Sequence, residues 1–354
     1  MKSRPASVHR TRCLGLFACA LGALAAPAEA ERAYVSNEDG DSISVLDTQR
    51  EAVVATIDVG KRPRGLKVDA AGRLFVAVSG LPKCPPTVPD EECAKLERDL
   101  DADGIAVVDT ASRRIVKVLA AGSDPEQFAL SADGARLFVS NEDAGRMSVV
   151  DVASGKVVAS VAVGQEPEGV AVTPNGRWVL VASESNHAVA VIDTRTLQVV
   201  RSVEVGQRPR DIAFTADSST AYVSGELDSS LWRFAVERDE PAERVLQLRK
   251  DARPMAVIVD PKRDRLYLST GRGGTVAVVD IPPTGEVKLV TEVRVGQRPW
   301  GMALSPDGRL LYTANGPSND VSIVDTSTLR TIDTIAVGRS PWGVALGPAP
   351  AATR

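Results

Sequence analysis

The alternation of apolar and polar positions is clearest across residues 295–338, VGQRPWGMALSPDGRLLYTANGPSNDVSIVDTSTLRTIDTIAVG. Four short runs rich in Val, Ile, Leu and Tyr (GMAL, LLYTA, VSIVD and TIDTIAV) are separated by SPDGR, NGPSND and TSTLR, which carry turn chemistry. Four strands are therefore predicted in a unit of about 42 residues, the period of a propeller blade.

The unit recurs. Its opening phrase, VGQRPWG at 295–301, returns as VGKRPRG (59–65), AGSDPEQ (121–127), VGQEPEG (163–169), VGQRPRD (205–211), KDARPMA (250–256) and VGRSPWG (337–343). The prolines stand at 63, 125, 167, 209, 254, 299 and 341, so the spacings are 62, 42, 42, 45, 45 and 42, and the first interval carries about 20 extra residues. With the strands of a unit labelled a to d, strand a follows each phrase. Strand b is LFVAV (74–78), LFVS (137–140), WVLVA (178–182), AYVS (221–224), LYLS (266–269) and LYTA (311–314). A further strand b, AYVS (33–36), precedes any strand a, and the last run, WGVAL (342–346), is a strand a with nothing after it. These ends are complementary halves of one unit. They predict an all-β, seven-bladed propeller over 31–348, four antiparallel strands per blade, closed by pairing the N-terminal strands with the C-terminal strand. A solenoid would instead need atypical capping units at both ends.

Antiparallel order assigns the loops to faces. The d-to-a phrase shares one mouth of the ring with the b-to-c loops SNEDGDS (36–42), SNEDAGR (140–146), SESNHA (183–188), SGELDSS (224–230), STGRGG (269–274) and NGPSND (315–320). Gly and Pro in the phrase serve the turn itself. The residues flanking Pro are free to vary, and they read Arg62/Arg64, Asp124/Glu126, Glu166/Glu168, Arg208/Arg210, Arg253/Met255, Arg298/Trp300 and Ser340/Trp342. One arc is acidic, and the rest carries Arg with two Trp. Guanidinium forks beside indole faces suit a planar, carboxylate-bearing ligand. The candidate ligand or partner surface is therefore Arg62, Arg64, Arg208, Arg210, Arg253, Arg298, Trp300 and Trp342. The same arginines could bridge blades to the neighbouring acids, with the Trp rings packed beside Pro, and the residues leave both readings open.

The insert GLPKCPPTVPDEECAKLERDLDADG (80–104) falls between strands b and c of blade two, on the same mouth, as a lid or partner-docking arm or a plain surface loop. Its Asp99, Asp101 and Asp103 have the alternate spacing of a calcium loop, followed by Gly104. Position 12 of such a loop is Thr110 and another ligand position is Val107, so an Asp-rich turn into strand c competes with a Ca2+ site.

Composition adds compartment and charge. Aromatic residues make up 4% of the chain, which suits blades packed through Val, Ile, Leu and Ala. Residues 1–30 combine a basic start, a short apolar run and Ala28/Ala30 in A-x-A spacing, the pattern of a cleaved secretory signal and a periplasmic destination. Cleavage there would leave 38 basic and 45 acidic side chains, net −7. Such a balance disfavours nucleic acid and anionic membrane as partners. It would also leave two cysteines, Cys84 and Cys93, expected to form a disulfide in an oxidising compartment. Residues 349–354 read as a tail, and the chain as a monomer.

The inventory for catalysis is thin. His187 is the one histidine after residue 30, and no nucleophile elbow, C-x-x-C-H or zinc ligand set occurs. Asp47, Asp109, Asp151, Asp193, Asp280 and Asp325 close strand c in most units and read as turn formers. These features point to a non-enzymatic binding or accessory module. The alternatives are a metal-dependent, lactonase-like hydrolase using Asp124, Glu126, Glu166 and Glu168, and a single-stranded nucleic-acid binder on the Arg loops.

YVSN (34–37), FVSN (138–141) and YTAN (312–315), each followed by a strand c ending VLD, VVD or IVD, resemble the YVTN-type β-propeller repeat family. The resemblance spans the repeats apart from 80–104 and a degenerate fifth blade, LWRFAVERD (231–239). The order RPRG, DPEQFALSADG, EPEGVAV, RPRDIAFTAD, RPWGMALSPDG, SNDVSIVD and SPWGVAL is similar to a periplasmic branch associated with PQQ-dependent alcohol catabolism. That resemblance implies an accessory or binding role beside a quinoprotein dehydrogenase, with PQQ as a candidate ligand; a quinone or small carboxylate would suit the Arg/Trp arc, and Ca2+ the Asp99–Asp103 spacing. The cysteine insert departs from the branch.

Overall fold

The computed structural model describes residues 31–82 and 95–348, with Met1 and Glu92. The expected signal segment (2–30), Cys84, Cys93 and the tail 349–354 lie outside the described residues. No described helix is long and apolar enough to cross a membrane.

The described strands form seven four-stranded antiparallel sheets, each with strands a to d in order, as the repeat predicts. The a strands, Pro341–Pro348, Leu66–Val68, Pro125–Leu130, Pro167–Val172, Pro209–Phe214, Pro254–Asp260 and Pro299–Leu304, pack against one another around the central axis. We number the blades in that order. Blade one is composite: Pro341–Pro348 pairs with Glu31–Asn37, Glu31 opposite Pro348 and Asn37 opposite Pro341, and Ser42–Asp47 and Ala52–Asp58 complete the sheet.

Strands b and c lie between two neighbouring blades. Their side chains are therefore buried on both faces, which explains their nearly continuous Val, Ile, Leu and Tyr content. One cluster joins Tyr34, Ile43 and Val45 of blade one to Leu74, Val76 and Val108 of blade two, and equivalent clusters join the other blades. Strand d is the outer edge, and it alternates exposed and buried positions, as in Arg330–Ala336. The strand-c aspartates behave as turn formers. Asp47, Asp193 and Asp325 each accept two backbone amides from the following residues. Bonds from the Ser327 hydroxyl and the Thr328 amide hold the Asp325 carboxyl down at about 2.

The phrase has a common geometry in all seven copies. Six of its prolines open strand a, where a missing N–H costs no ladder bond. The residue before each Pro is left-handed: φ is 44° at Arg62, 42° at Asp124, 50° at Glu166, 56° at Arg208, 52° at Arg253, 48° at Arg298 and 52° at Ser340. Non-glycine residues rarely adopt this region, at a cost of order 1 kcal/mol or more each. Its presence in every blade marks it as a property of the turn, not of one site.

Two residues beyond Pro the inner strands come closest. A Cβ at Gly301 would stand 2.8 Å from both the Trp342 carbonyl oxygen and the Gly343 Cα. At Gly316, in the b-to-c loop of the same blade, the nearest atom would be 3.7 Å away. Gly301→Ala is therefore expected to destabilise the ring by about 1–3 kcal/mol through overpacking, while Gly316→Ala stays within about 0.5 kcal/mol. Urea denaturation of the two variants checks this, and equal stabilities would contradict the close approach.

Candidate functional site

The phrases and the b-to-c loops meet on one face, as backbone bonds from Glu38 to Ser340, Glu184 to Glu166, Glu226 to Arg208 and Gly271 to Arg253 show. Here the ring narrows, and three tiers of side chains close over the axis.

The lowest tier is the residue after each Pro: Trp342, Arg64, Glu126, Glu168, Arg210, Met255 and Trp300, going round from blade one to blade seven. All are buried except Trp300, which is half-buried. They pair across blades. Arg64, with only 3% of its side chain exposed, binds Asp124 at 2.6 Å, the Pro125 carbonyl at 3.0 Å, Glu126, and Glu142 at 3.4 Å. Arg210 binds Glu168, Glu184 and, at 2.7 Å, Glu226. Trp300 and Trp342 lie 5.8 Å apart with a 38° tilt, and Arg210 stands 5.5 Å from the Trp300 ring.

The second tier is the residue before each Pro. Arg62 binds Glu38 at 3.0 Å and the Leu81 carbonyl at 2.6 Å. Arg208 uses Nε on Glu184, with Glu226 at 3.6 Å, and its two Nη groups have no partner among the described residues. Glu166 accepts the Ser185 hydroxyl. Arg298 lies 4.6 Å over Trp300, and neither it nor Arg253 has an ion-pair partner among the described residues.

The third tier was not singled out from the sequence. Strand b is followed by Glu38, Glu142, Glu184 and Glu226 in blades one, three, four and five, by Ser79 in blade two, and by Gly271 and Gly316 in blades six and seven. The signal lay in SNE, SNE, SE and SGE at equivalent positions. These glutamates supply most of the partners of Arg62, Arg64, Arg208 and Arg210, while the glycines leave the mouth open beside Trp300.

Of the eight candidate ligand residues, Arg64 and Arg210 are thus inter-blade bridges wrapped in carboxylates, and Arg62 is largely so. Arg208, Arg253, Arg298 and Trp300 retain surface at the mouth, and Trp342 is packed beneath Trp300.

Seven carboxylates, Glu38, Asp124, Glu126, Glu142, Glu168, Glu184 and Glu226, meet four guanidiniums in this network. The excess acid favours retained protons. Burial pushes Asp124 up, but the Arg64 charge and the Ser79 hydroxyl outweigh it and hold the carboxyl below its ordinary value. Glu142 is raised by burial against the opposing Arg64, with Asp124 adding to the rise. Glu184 is raised to about 8, first by burial, with Glu142 and Glu226 adding against Arg208.

The insert begins and ends on this face. Its stem is tied by Asp99 to Lys61 at 2.7 Å, and by Asp103 to the amides of Gly80 and Asp124 and to Arg98. Leu100–Ala102 is a short 3-10 turn. Asp99 and Asp103 are thus committed to separate partners, and among the described residues no group of three or more ligand-type side chains is placed to hold a metal ion. The acids proposed for a hydrolytic metal do not fit one either, since Asp124 and Glu126 are bound by Arg64, Glu168 by Arg210 and Glu166 by Ser185. Below the mouth the inner strands enclose a channel of about 630 Å³ lined largely by Ala and Val, with Lys67 and Asp211 as its charged residues.

Comparison with known proteins supplies a family context. A model described as "Lactonase, 7-bladed beta-propeller" matches residues 193–340, and one described as "Cytochrome D1 heme domain" matches 96–236. No curated protein matches the chain in sequence. Among solved structures, the Pseudomonas aeruginosa periplasmic gluconolactonase is similar at 21% identity and a TM-score of 0.71, over 90% of this chain and 99% of that one. A Bacteroides fragilis protein described as a candidate 6-phosphogluconolactonase is similar at 15% identity and a TM-score of 0.71, over 91% and 99%. Kuenenia stuttgartiensis hydrazine synthase is similar at 20% identity and a TM-score of 0.70, over 83% and 92%. These likenesses establish the seven-bladed fold.

The expectation of a non-enzymatic module is overturned by the lactonase model and by structural relatives that are named as enzymes. A thin His/Cys inventory argues against imidazole and thiol nucleophiles, not against catalysis by carboxylates. These matches give no support to the PQQ-associated branch or to a quinoprotein partner. His187, the one histidine among the described residues, has its Nδ1 2.8 Å from the Glu184 carbonyl, and Met255 is buried against Gly271.

Arg64→Leu strands Asp124 and Glu126 as buried charges and is expected to cost about 3–5 kcal/mol of stability, whereas Arg298→Leu costs under about 0.5 kcal/mol; denaturant titration separates the two. The Glu184 carboxyl binds its proton more tightly folded than unfolded. Its stabilising contribution is full below about 4.5, the ordinary value, and is lost as pH rises to about 8. The Tm of Glu184→Gln relative to wild type should therefore climb across that window in differential scanning fluorimetry. A flat difference would show that Glu184 ionises normally.

Proposed function

We propose that this chain is a lactone hydrolase that opens its substrate at the Glu- and Arg-lined mouth without a metal. One observation carries the reading: Glu142, a carboxylate at the lip whose side chain is 36% exposed, is held only loosely, at 3.4 Å, by Arg64. It lies within reach of the charge of the buried Glu184, whose partner Arg208 has no partner for either Nη group among the described residues. The lactonase model over residues 193–340 and the likeness to gluconolactonases support it.

Hydrolysis of a lactone needs a base for water, a donor for the oxyanion and a proton for the departing ring oxygen. Glu142 takes the proton from water, and the new C–O bond forms at the lactone carbonyl carbon. The Arg208 Nη groups stabilise the negative charge that develops on the carbonyl oxygen. As the ring C–O bond breaks, the proton on Glu142 passes to the ring oxygen, leaving a hydroxy acid. Burial and the Asp124 charge keep the proton affinity of Glu142 above that of an ordinary glutamate, which suits it to both transfers. Arg298, lying on Trp300 without a carboxylate partner, offers a fork for the product carboxylate, and the Trp300 face packs against the sugar ring. The signal-like residues 1–30 and the periplasmic location of the P. aeruginosa relative support an exported enzyme.

The test is proton release from a panel of aldonolactones in a pH-stat. Wild type should exceed spontaneous hydrolysis. Glu142→Gln should lower kcat by about 10²–10⁴-fold with little change in Tm, and Arg208→Gln should lower it by about 10²–10³-fold. An absence of hydrolysis above background across five- and six-membered lactones would sink the reading.

A further inference from the structure

Beside the mouth, between blades six and seven, lies a cleft of about 1030 Å³ that shares only Arg298 with the proposed reaction site. One wall is the loop Gly271–Gly274 with Arg249, and the other is formed by Arg294–Arg298 with Pro317 and Ser318. Four guanidiniums line it, from Arg249, Arg272, Arg294 and Arg298, against one carboxylate, Glu292. Arg249 is already satisfied, by Asp251 at 3.0 Å, the Gly273 carbonyl at 3.0 Å and Glu292 at 3.4 Å. Arg272 and Arg294 are exposed, and their side chains have no partner among the described residues; Arg298 has only the Trp300 face.

This concentration of positive charge is unusual for the molecule, whose formal net charge is −4. Arg272 is near enough for its charge to act on Arg298, which is lowered by burial and, against the opposing charge of Glu226, by the like charges of Arg210 and Arg272. Elsewhere on this face Arg62, Arg64, Arg208 and Arg210 are matched with carboxylates. Here three are held close together without them, an arrangement that a bound anion relieves. The glycines keep the wall clear. A Cβ at Gly273 would stand 2.2 Å from the Thr270 hydroxyl and 2.6 Å from the Arg249 Nη2, so the loop backbone is pressed onto Arg249 and only the Arg272 side chain rises beside the cleft.

We propose that this inter-blade cleft binds a small molecule carrying two or more anionic oxygens, gripped by the guanidinium forks of Arg272, Arg294 and Arg298. Carboxylates and phosphates share that chemistry. A neutral lactone does not, and Arg272 and Arg294 take no part in the proposed reaction, so the inference does not rest on the hydrolase reading.

Isothermal titration of the purified protein with inorganic phosphate and, separately, with citrate at low ionic strength tests it. Saturable binding of at least one anion is expected. Arg272→Ala and Arg294→Ala should each weaken it at least about tenfold, Arg208→Gln should leave it unchanged, and added NaCl should weaken it further. A preference for phosphate identifies a tetrahedral anion as the better fit, and a preference for citrate identifies spaced carboxylates. The proposal is overturned if neither anion binds up to about 10 mM, where affinity becomes negligible. It is equally overturned if binding survives in the Arg272→Ala/Arg294→Ala double variant, whose positions are exposed and whose fold can be verified by its Tm. Lactone hydrolysis, measured in parallel, should be unaffected by that double variant.

Discussion

Everything on the mouth depends on the antiparallel pairing of Glu31–Asn37 with Pro341–Pro348. Without that ladder blade one would be a three-stranded fragment with an open edge. No inner strand would then stand between blades seven and two. Closure brings chain segments about 300 residues apart into hydrogen-bond contact, as between the Gly343 amide and the Ser36 hydroxyl at 3.0 Å. It also sets Trp342 against Trp300 and thereby fixes the diameter at which all seven phrases meet.

That diameter sorts the charges. Residues that follow Pro in successive blades are forced into a small, dry circle, where an unmatched charge is costly. Arg64 and Arg210 therefore draw in carboxylates from their neighbours, and the glutamates of the b-to-c loops fold over them. The result holds more acid than base. Proton affinity rises where the crowding is greatest, at Glu142 and Glu184. On the other side of the ring, Gly271 and Gly316 replace glutamate, the lid of carboxylates stops, and Trp300, Arg298 and the adjoining cleft stay uncovered. A backbone with near sevenfold repetition thus carries a strongly one-sided chemistry, and the function resides in the deviations from the repeat.

The fold was legible because its determinants are local and repeated. Strand length, Asp-closed c-to-d turns such as Asp325-Thr-Ser, and the Gly-x-x-Pro phrase are each read within a few residues, and seven imperfect copies average out single-blade lapses such as the longer turn after Ala235. The shared mouth followed from antiparallel order alone. The site was legible only in outline. Arg62, Arg64, Arg208 and Arg210 were rightly placed at the mouth, but whether each faces ligand or neighbour was open, and Glu142 and Glu184 passed unremarked inside loops that looked like turn chemistry.

By itself, then, the amino-acid order determined the number of blades, the complementarity of the ends and which loops share a rim, since each of these follows from periodicity and strand direction. The tertiary structure alone decided which guanidiniums are neutralised and which are left free. That outcome turns on ångström-scale separations between side chains from different blades, as between Arg64 and Glu142, 78 positions apart. Such separations are set by the curvature of the closed ring, and no local stretch of chain encodes them.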